Sequence, residues 1–250
     1  MAKFWVRAIS NLEMFNPDLS DVVRGRGQTV NEHTLKMGHG DGYATTFKGD
    51  FELNSKGFAI GGTISRIEFE DDDHYGTIMS GLRLDLDKFI KTAKTSSTAD
   101  DAKLFASIFS KSDQISGAVG DDKISGFAGN DTLVGEFGND VIAGGDGDDT
   151  IIGGSDADRL TGGLGADVFV YEREFDSDEQ GSDTITDFSQ ADGDKISLRD
   201  LGFFDFATEV RITHASSQTL VEVDVMGGFN FPLFIRLDGN IALTESDFLL

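Results

Sequence analysis

The chain has 250 residues, and its 45 acidic against 21 basic side chains give a formal charge of −24. That balance repels nucleic acid and anionic lipid headgroups and attracts cations, while 21 Phe and 38% apolar residues supply more buriable surface than a disordered polyanion carries. Cysteine is absent, which excludes disulfides and thiolate metal sites and leaves oxygen or imidazole as the only ligands for a structural metal.

Residues 1 to 15 contain no uninterrupted apolar stretch with a small-residue cleavage site, and nowhere do 18 apolar residues run together. A cleaved Sec-type signal and a transmembrane segment are therefore not expected.

Residues 1–111 read as an α+β module. Strand-like runs fall near Lys3 to Ile9, Tyr43 to Leu53, Gly57 to Glu70 and His74 to Ser80, which predicts an antiparallel sheet. From Asp85 to Ser110 the apolar spacing becomes helical, with Leu86, Phe89 and Ile90 in one set and Leu104, Phe105, Ile108 and Phe109 in another. Two short helices are expected there. His33, His39, His74 and His214 are scattered, without the HExxH spacing of a zinc protease, and there is no Gly-x-Ser-x-Gly elbow. His39 lies in Gly38-His39-Gly40-Asp41-Gly42, expected to be a solvated turn, and the acidic run Glu68 to Asp73 reads as a hairpin tip. No catalytic residue is assigned.

From Gly117 to Val170 a nine-residue period runs without insertion through six units: GAVGDDKIS, GFAGNDTLV, GEFGNDVIA, GGDGDDTII, GGSDADRLT and GGLGADVFV. Position one is always Gly (Gly117, Gly126, Gly135, Gly144, Gly153, Gly162), and position four is Gly (Gly120, Gly129, Gly138, Gly147, Gly165) except at Asp156. These glycines are expected to allow positive φ in a tight loop. Position six is always Asp (Asp122, Asp131, Asp140, Asp149, Asp158, Asp167), and position eight is always large and apolar: Ile124, Leu133, Ile142, Ile151, Leu160 and Phe169.

A six-residue turn followed by a three-residue strand accounts for the pattern, since alternation along a strand sends position eight inward. Two units then form one 18-residue coil. Coils stacked about 4.8 Å apart place the position-six carboxylates in like-charged files. Unit charges at that spacing repel by about 1 kcal/mol at the dielectric of water and by roughly 3–4 kcal/mol at an effective value of 20. A divalent cation between turns reverses the sign, and carboxylates with glycine-loop carbonyls are the hard oxygen donors that Ca²⁺ accepts in irregular geometry.

The units closely resemble the calcium-binding nonapeptide of RTX proteins, G-G-x-G-x-D-x-U-x. The resemblance implies a right-handed parallel β-roll over residues 112–170 that binds several Ca²⁺ ions. It also implies ligands at Asp122, Asp131, Asp140, Asp149, Asp158 and Asp167, with carbonyls from the glycine positions. Asp156 puts one loop in question. Position five carries Asp121, Asn130, Asn139 and Asp148, then Ala157 and Ala166, which reads as outer support that fades along the array. Asp113 and Ile115 sit one period upstream, so the roll is expected to begin as a half-unit.

Over residues 171–250, Asp183 to Phe188 and Gly193 to Leu198 repeat the Asp-x-Ile fragment after a charged loop. This succession is similar to the region that follows the repeats in serralysin-type and other type I secreted proteins, and makes Asp183 and Asp187 further ligand candidates. Alternating stretches at Glu209 to Thr213, Leu220 to Val225 and Phe231 to Leu237 predict an antiparallel β cap. The tail Leu243 to Leu250 resembles an uncleaved type I secretion signal. The chain thus reads as mainly β and extracellular, with calcium and the type I secretion machinery as partners. Its expected role is that of a non-enzymatic calcium-binding protein. The alternatives are a carbohydrate-active or lectin-like N-terminal module carried by the roll, and a Ca²⁺-dependent adhesion or matrix protein whose partner is a polysaccharide or a cell surface.

Overall fold

The computed structural model describes the strand backbones within 3–85, residues 103, 106 and 107, and residues 109–250 apart from 118, 174, 180, 203–204, 216 and 225–231. In the repeat, each strand takes positions seven to nine of one unit and one to three of the next. These are β8 (Lys123–Ala128), β9 (Thr132–Phe137), β10 (Val141–Asp146), β11 (Thr150–Ser155) and β12 (Arg159–Leu164), preceded by β7 (Gln114–Ser116) and followed by β13 (Val168–Val170). The strands are six residues long and the turns three, instead of the expected three and six. Backbone pairing between coils continues through positions two and three, as in Gly145 beside Gly163 and Asp146 beside Leu164.

Pairing is parallel between alternate units, so the two units of a coil lie on opposite faces of the roll. Position eight builds two apolar columns. Ile115, Leu133, Ile151, Phe169 and Ile196 stack in register on one face; Ile124, Ile142, Leu160, Ile185 and Leu237 stack on the other. All ten are at most 1% exposed. Because each column residue touches the coil above and below, truncation opens a cavity that cannot collapse without breaking the ladder. Ile142→Ala is expected to cost about 2–5 kcal/mol in the calcium-loaded protein, read from denaturant unfolding.

The columns run beyond the six units through β14 (Asp183–Ile185) and β15 (Lys195–Ser197), and both are then extended by C-terminal strands. β16 (Val210–His214), β17 (Gln218–Val223) and β18 (Leu233–Asp238) form the expected antiparallel cap. It joins the roll edge to edge, β18 lying parallel to β14. On the other face β19 (Phe248–Leu249) pairs in parallel with β15, placing a 6% exposed Phe248 beside Ile196. Phe206, in a single helical turn at Phe206–Glu209, packs on Phe248 with centroids 5.0 Å apart. Both terminal rungs therefore receive backbone partners, as a solenoid end requires.

At the other end β1 (Lys3–Trp5) pairs parallel to β7 and antiparallel to β6 (Tyr75–Asp85). Through it the roll continues into an antiparallel sheet in the order β6, β5 (Ala59–Glu70), β4 (Tyr43–Leu53), β3 (Thr34–Gly40) and β2 (Arg26–Asn31). Two of these strands, β2 and β3, were not expected. His39 belongs to β3 and not to a turn; the glycines around it are absorbed by a register shift between Gly38 and Gly40. The helices expected between Asp85 and Ser110 lie outside the described residues, except for helical backbone at Lys103, Ala106 and Ser107. Among the described residues no helix is long and apolar enough to cross a membrane.

Candidate metal centre

Position-six aspartates are the last residues of the three-residue turns and are buried, Asp122, Asp131, Asp140, Asp149, Asp158 and Asp167 being 0–2% exposed. They form two files. In one, the Asp122 N–H donates to Asp140 Oδ1 (2.7 Å), Asp140 N–H to Asp158 Oδ1 (2.8 Å) and Asp158 N–H to Asp183 Oδ1 (2.9 Å). In the other, the links run from Asp113 N–H to Asp131 (2.7 Å), then to Asp149 (2.7 Å), Asp167 (2.9 Å) and Asp194 (3.0 Å).

One oxygen of each accepting carboxylate is thus used to cap the neighbouring coil. The other is left over: Oδ2 of Asp131, Asp140, Asp149, Asp158 and Asp167 is buried without a hydrogen-bond partner. A buried carboxylate oxygen in that condition costs several kcal/mol unless it meets a proton or a cation. Burial above all, reinforced by like-charged neighbours, pushes Asp131 up to about 6, Asp149, Asp158 and Asp167 to about 7, and Asp140 to about 8, against an ordinary 3.8.

The glycines serve the same oxygens. Positive φ is found at position four (Gly120, Gly129, Gly138, Gly147, Gly165) and at position two, where Phe127, Glu136, Gly145, Gly154 and Gly163 stand, but not at position one. Position one is glycine for space. A Cβ on Gly117, Gly126, Gly135, Gly144, Gly153 or Gly162 would lie under 3.0 Å from the Oδ2 of the aspartate in the same unit. The expectation that both glycines supply positive φ is corrected accordingly. Gly144→Ala, which would press on Asp149 Oδ2 and the Gly162 carbonyl, is expected to weaken calcium binding at least tenfold in calorimetry, equivalent to about 1.4 kcal/mol. Asp156 adopts the position-four conformation with φ 83°, and its unit keeps the Asp158 links intact.

Position five caps the backbone from coil to coil. Asp121 Oδ1 accepts from the Asn139 N–H (2.8 Å), Asn139 Oδ1 from Ala157 (3.3 Å), Asn130 Oδ1 from Asp148 (3.1 Å) and Asp148 Oδ1 from Ala166 (2.9 Å). These caps run along the roll in the direction opposite to those of position six. The run ends at Ala157 and Ala166, which receive a cap and hand none on.

Downstream, Asp183 and Asp194 both continue the files, whereas Asp187 does not: its two oxygens accept from the N–H groups of Gly162 and Gly163, each at 2.9 Å. Asp194 was legible as part of an Asp-x-Ile fragment but not as a file member, because 27 residues rather than 18 separate it from Asp167. Its Oδ2 accepts from Ser189 N–H at 2.8 Å, so this last carboxylate is satisfied by the protein itself.

Residues 109–142 and 134–169 match the profile of the RTX calcium-binding nonapeptide repeat, described as four copies. The middle of the chain is an RTX repeat array. Among solved structures the chain is similar to the AlgE6R2 subunit of the Azotobacter vinelandii mannuronan C5-epimerase, with 27% identity over 54% of this chain and 92% of that one and a TM-score of 0.43. It is also similar to the AlgE6R3 subunit of the same enzyme, with 26% identity over 56% and 78% and a TM-score of 0.35. A comparison with curated proteins gives no match.

RTX nonapeptide repeats bind Ca²⁺, and the donor set here fits that ion. Orphaned carboxylate oxygens are hard donors, and glycine at position one is what gives each of them its room. Among the described residues no three His, Cys, Asp or Glu side chains converge on one point. Each site must therefore combine carboxylates with main-chain carbonyls, which Ca²⁺ accepts and zinc does not favour.

Proposed function

We propose that this protein is a secreted calcium-binding protein whose RTX roll folds on meeting Ca²⁺ outside the cell after type I export. In this reading Asp122, Asp131, Asp140, Asp149, Asp158 and Asp167 are the carboxylate ligands. Carbonyls of Gly117, Gly120, Gly126, Gly129, Gly135, Gly138, Gly144, Gly147, Gly153, Gly162 and Gly165 complete the shells. Residues 112–170 act as the calcium-loaded unit, 171–250 as its cap, and 1–111 as a module with a separate role.

The observation that carries the reading is the pair of buried aspartate files in which Asp131, Asp140, Asp149, Asp158 and Asp167 each keep one oxygen without a hydrogen-bond partner. At low free calcium the files repel and the coils separate; at high calcium each ion bridges two turns and its binding free energy becomes folding free energy. The test is far-UV circular dichroism of the full chain in chelator, in millimolar Ca²⁺ and in millimolar Mg²⁺. A large gain of β signal with Ca²⁺ and little with Mg²⁺ is expected, with calorimetry giving roughly four to seven ions. A chain that shows its full β signal in chelator would sink the coupling.

A further inference from the structure

We propose that the flank of the roll carries a binding site for a small organic ammonium, a primary amine on an apolar body, in a cavity bordered by Asp156, Asp178 and Phe175. The site lies apart from the aspartate files and goes beyond the calcium reading.

The cavity has a volume of about 320 Å³ and is lined by Asn139, Ser155 and Asp156 of the roll and by Phe175, Asp178 and Gly181 of the segment between β13 and β14. Two departures from the repeat coincide to build it. Position four is Gly in every unit but the fifth, where Asp156 keeps the positive φ of that position, 83°. A non-glycine residue adopts that backbone at a cost, so conformation gives no reason for the aspartate. What it adds over glycine is a carboxylate in the cavity wall. The second departure is length. Asp158 and Asp183 are 25 residues apart, against 18 between Asp140 and Asp158, so seven residues are inserted. The longer segment supplies Phe175 and Asp178, and it closes onto the roll at Gly181, where a Cβ would lie 3.2 Å from the Asp156 carbonyl carbon. Asp178 Oδ1 accepts from the Gly181 N–H at 2.7 Å, which fixes this second carboxylate at the end of the insertion.

Size and lining set the ligand class. A water molecule's share of liquid volume is about 30 Å³, and Ca²⁺ is held by oxygens about 2.4 Å away. A cavity ten times the first volume is too roomy for an ion alone and has the size of a small organic group. Its described lining offers two carboxylates, an amide, a hydroxyl and an aromatic ring, and none of these residues is basic. Such a wall repels an anion and gives a primary ammonium charged acceptors for its three N–H donors. The ring is placed to receive a cation: Phe175 is 55% exposed, and the Arg173 guanidinium already lies over it, 5.8 Å from the centroid. The apolar body of the ligand follows from the neighbouring rungs. Ser155 pairs with Phe137, and Phe137 with Val119, which are 48% and 70% exposed. An amine bound at Asp156 and Asp178 can cover this apolar surface with its hydrocarbon portion.

Calorimetric titration of the full chain with phenethylamine, in millimolar Ca²⁺, tests the site. Saturable binding of about one molecule per chain is expected, weakening as salt is raised, with the uncharged counterpart 2-phenylethanol bound about tenfold more weakly or worse. D156G restores the repeat's own residue at a positive φ, so it keeps the backbone and removes the carboxylate. It should weaken phenethylamine binding about tenfold or more while leaving the number of bound calcium ions unchanged. D178N, which retains an oxygen for the Gly181 N–H, should weaken the amine likewise. No binding by the wild type, equal affinity for 2-phenylethanol, or undiminished phenethylamine affinity in both variants would overturn the site and leave the calcium reading standing. Tighter binding of glucosamine than of phenethylamine would overturn the apolar ligand class. Loss of calcium ions from D156G would place Asp156 among the metal ligands and overturn the proposal equally.

Discussion

Replacing Asp140 by Asn is expected to destabilise the calcium-loaded protein and stabilise the metal-free one. Asp140 sits mid-file: its Oδ1 caps Asp122, its own N–H is capped by Asp158, and its Oδ2 is one of the orphaned oxygens. Asparagine keeps an oxygen for the cap but removes the charge. With calcium bound, the two gaps that share this residue lose an anionic ligand, a loss of about 3 kcal/mol together with roughly one to two ions from the binding count. Without calcium the same change removes a carboxyl that burial and the neighbouring Asp158, Asp122 and Asp121 oblige to take up a proton on folding, so the residual β structure in chelator should increase. Denaturant unfolding of D140N and wild type, each in Ca²⁺ and in chelator, gives the two signs. Destabilisation in both conditions would mean that Asp140 serves only as a cap.

Acidifying the metal-free chain is expected to order it. The file aspartates are raised from 3.8 to between about 6 and about 8 in the folded state, chiefly because burial penalises the charged form. A group whose folded pKa lies above its unfolded value binds more protons when folded, so its contribution favours folding at low pH and fades as pH rises through the folded pKa. The metal-free roll should therefore gain β signal between pH 8 and about pH 5, helped by the shrinking of the overall −24 charge. Calcium replaces those protons, so adding it at pH 7 should release protons, and calcium affinity should fall as pH drops through the same range. A metal-free chain that loses β signal on acidification from pH 8 would contradict this account of the files.

The two predictions share one physical cause: a fold whose interior holds anions must find a counter-charge, either a proton or a metal. That requirement separates the roll from an ordinary β-solenoid, where the columns of Ile, Leu and Phe would suffice. Here the columns supply the hydrophobic contribution and the files set the condition under which it can be realised.

The repeat arithmetic was legible in the sequence because strand stacking at a fixed period needs the same residue type at each register. Asp at position six and a large apolar residue at position eight therefore announce the file and the column before any coordinates. The antiparallel cap was legible from alternation, as were four of the six strands at the N-terminal end. β2 and β3 were not, since a strand such as Thr34–Gly40, with two glycines and a histidine at its end, has the composition of a turn and becomes a strand only through its neighbours. Likewise the reason for the position-one glycine could not be read from its identity, because lack of a Cβ serves conformation and space alike. Only the tertiary structure shows the aspartate oxygen occupying the volume.

What the amino-acid sequence determined by itself is the ion and the scaffold: no thiolate ligands, carboxylates at a nine-residue period, two units per coil, and anions in file. What the tertiary structure decided is how the files end. Asp183 and Asp194 join them across insertions that hide the period, Asp187 turns aside to two glycine N–H groups, and Ser189 satisfies the last carboxylate of one file. The other file ends at Asp183, whose N–H donates to the Ser177 hydroxyl. Local repetition specifies a register only while the spacing is constant; once residues are inserted, register is set by which side chains reach the next rung, and that is a property of the folded coil.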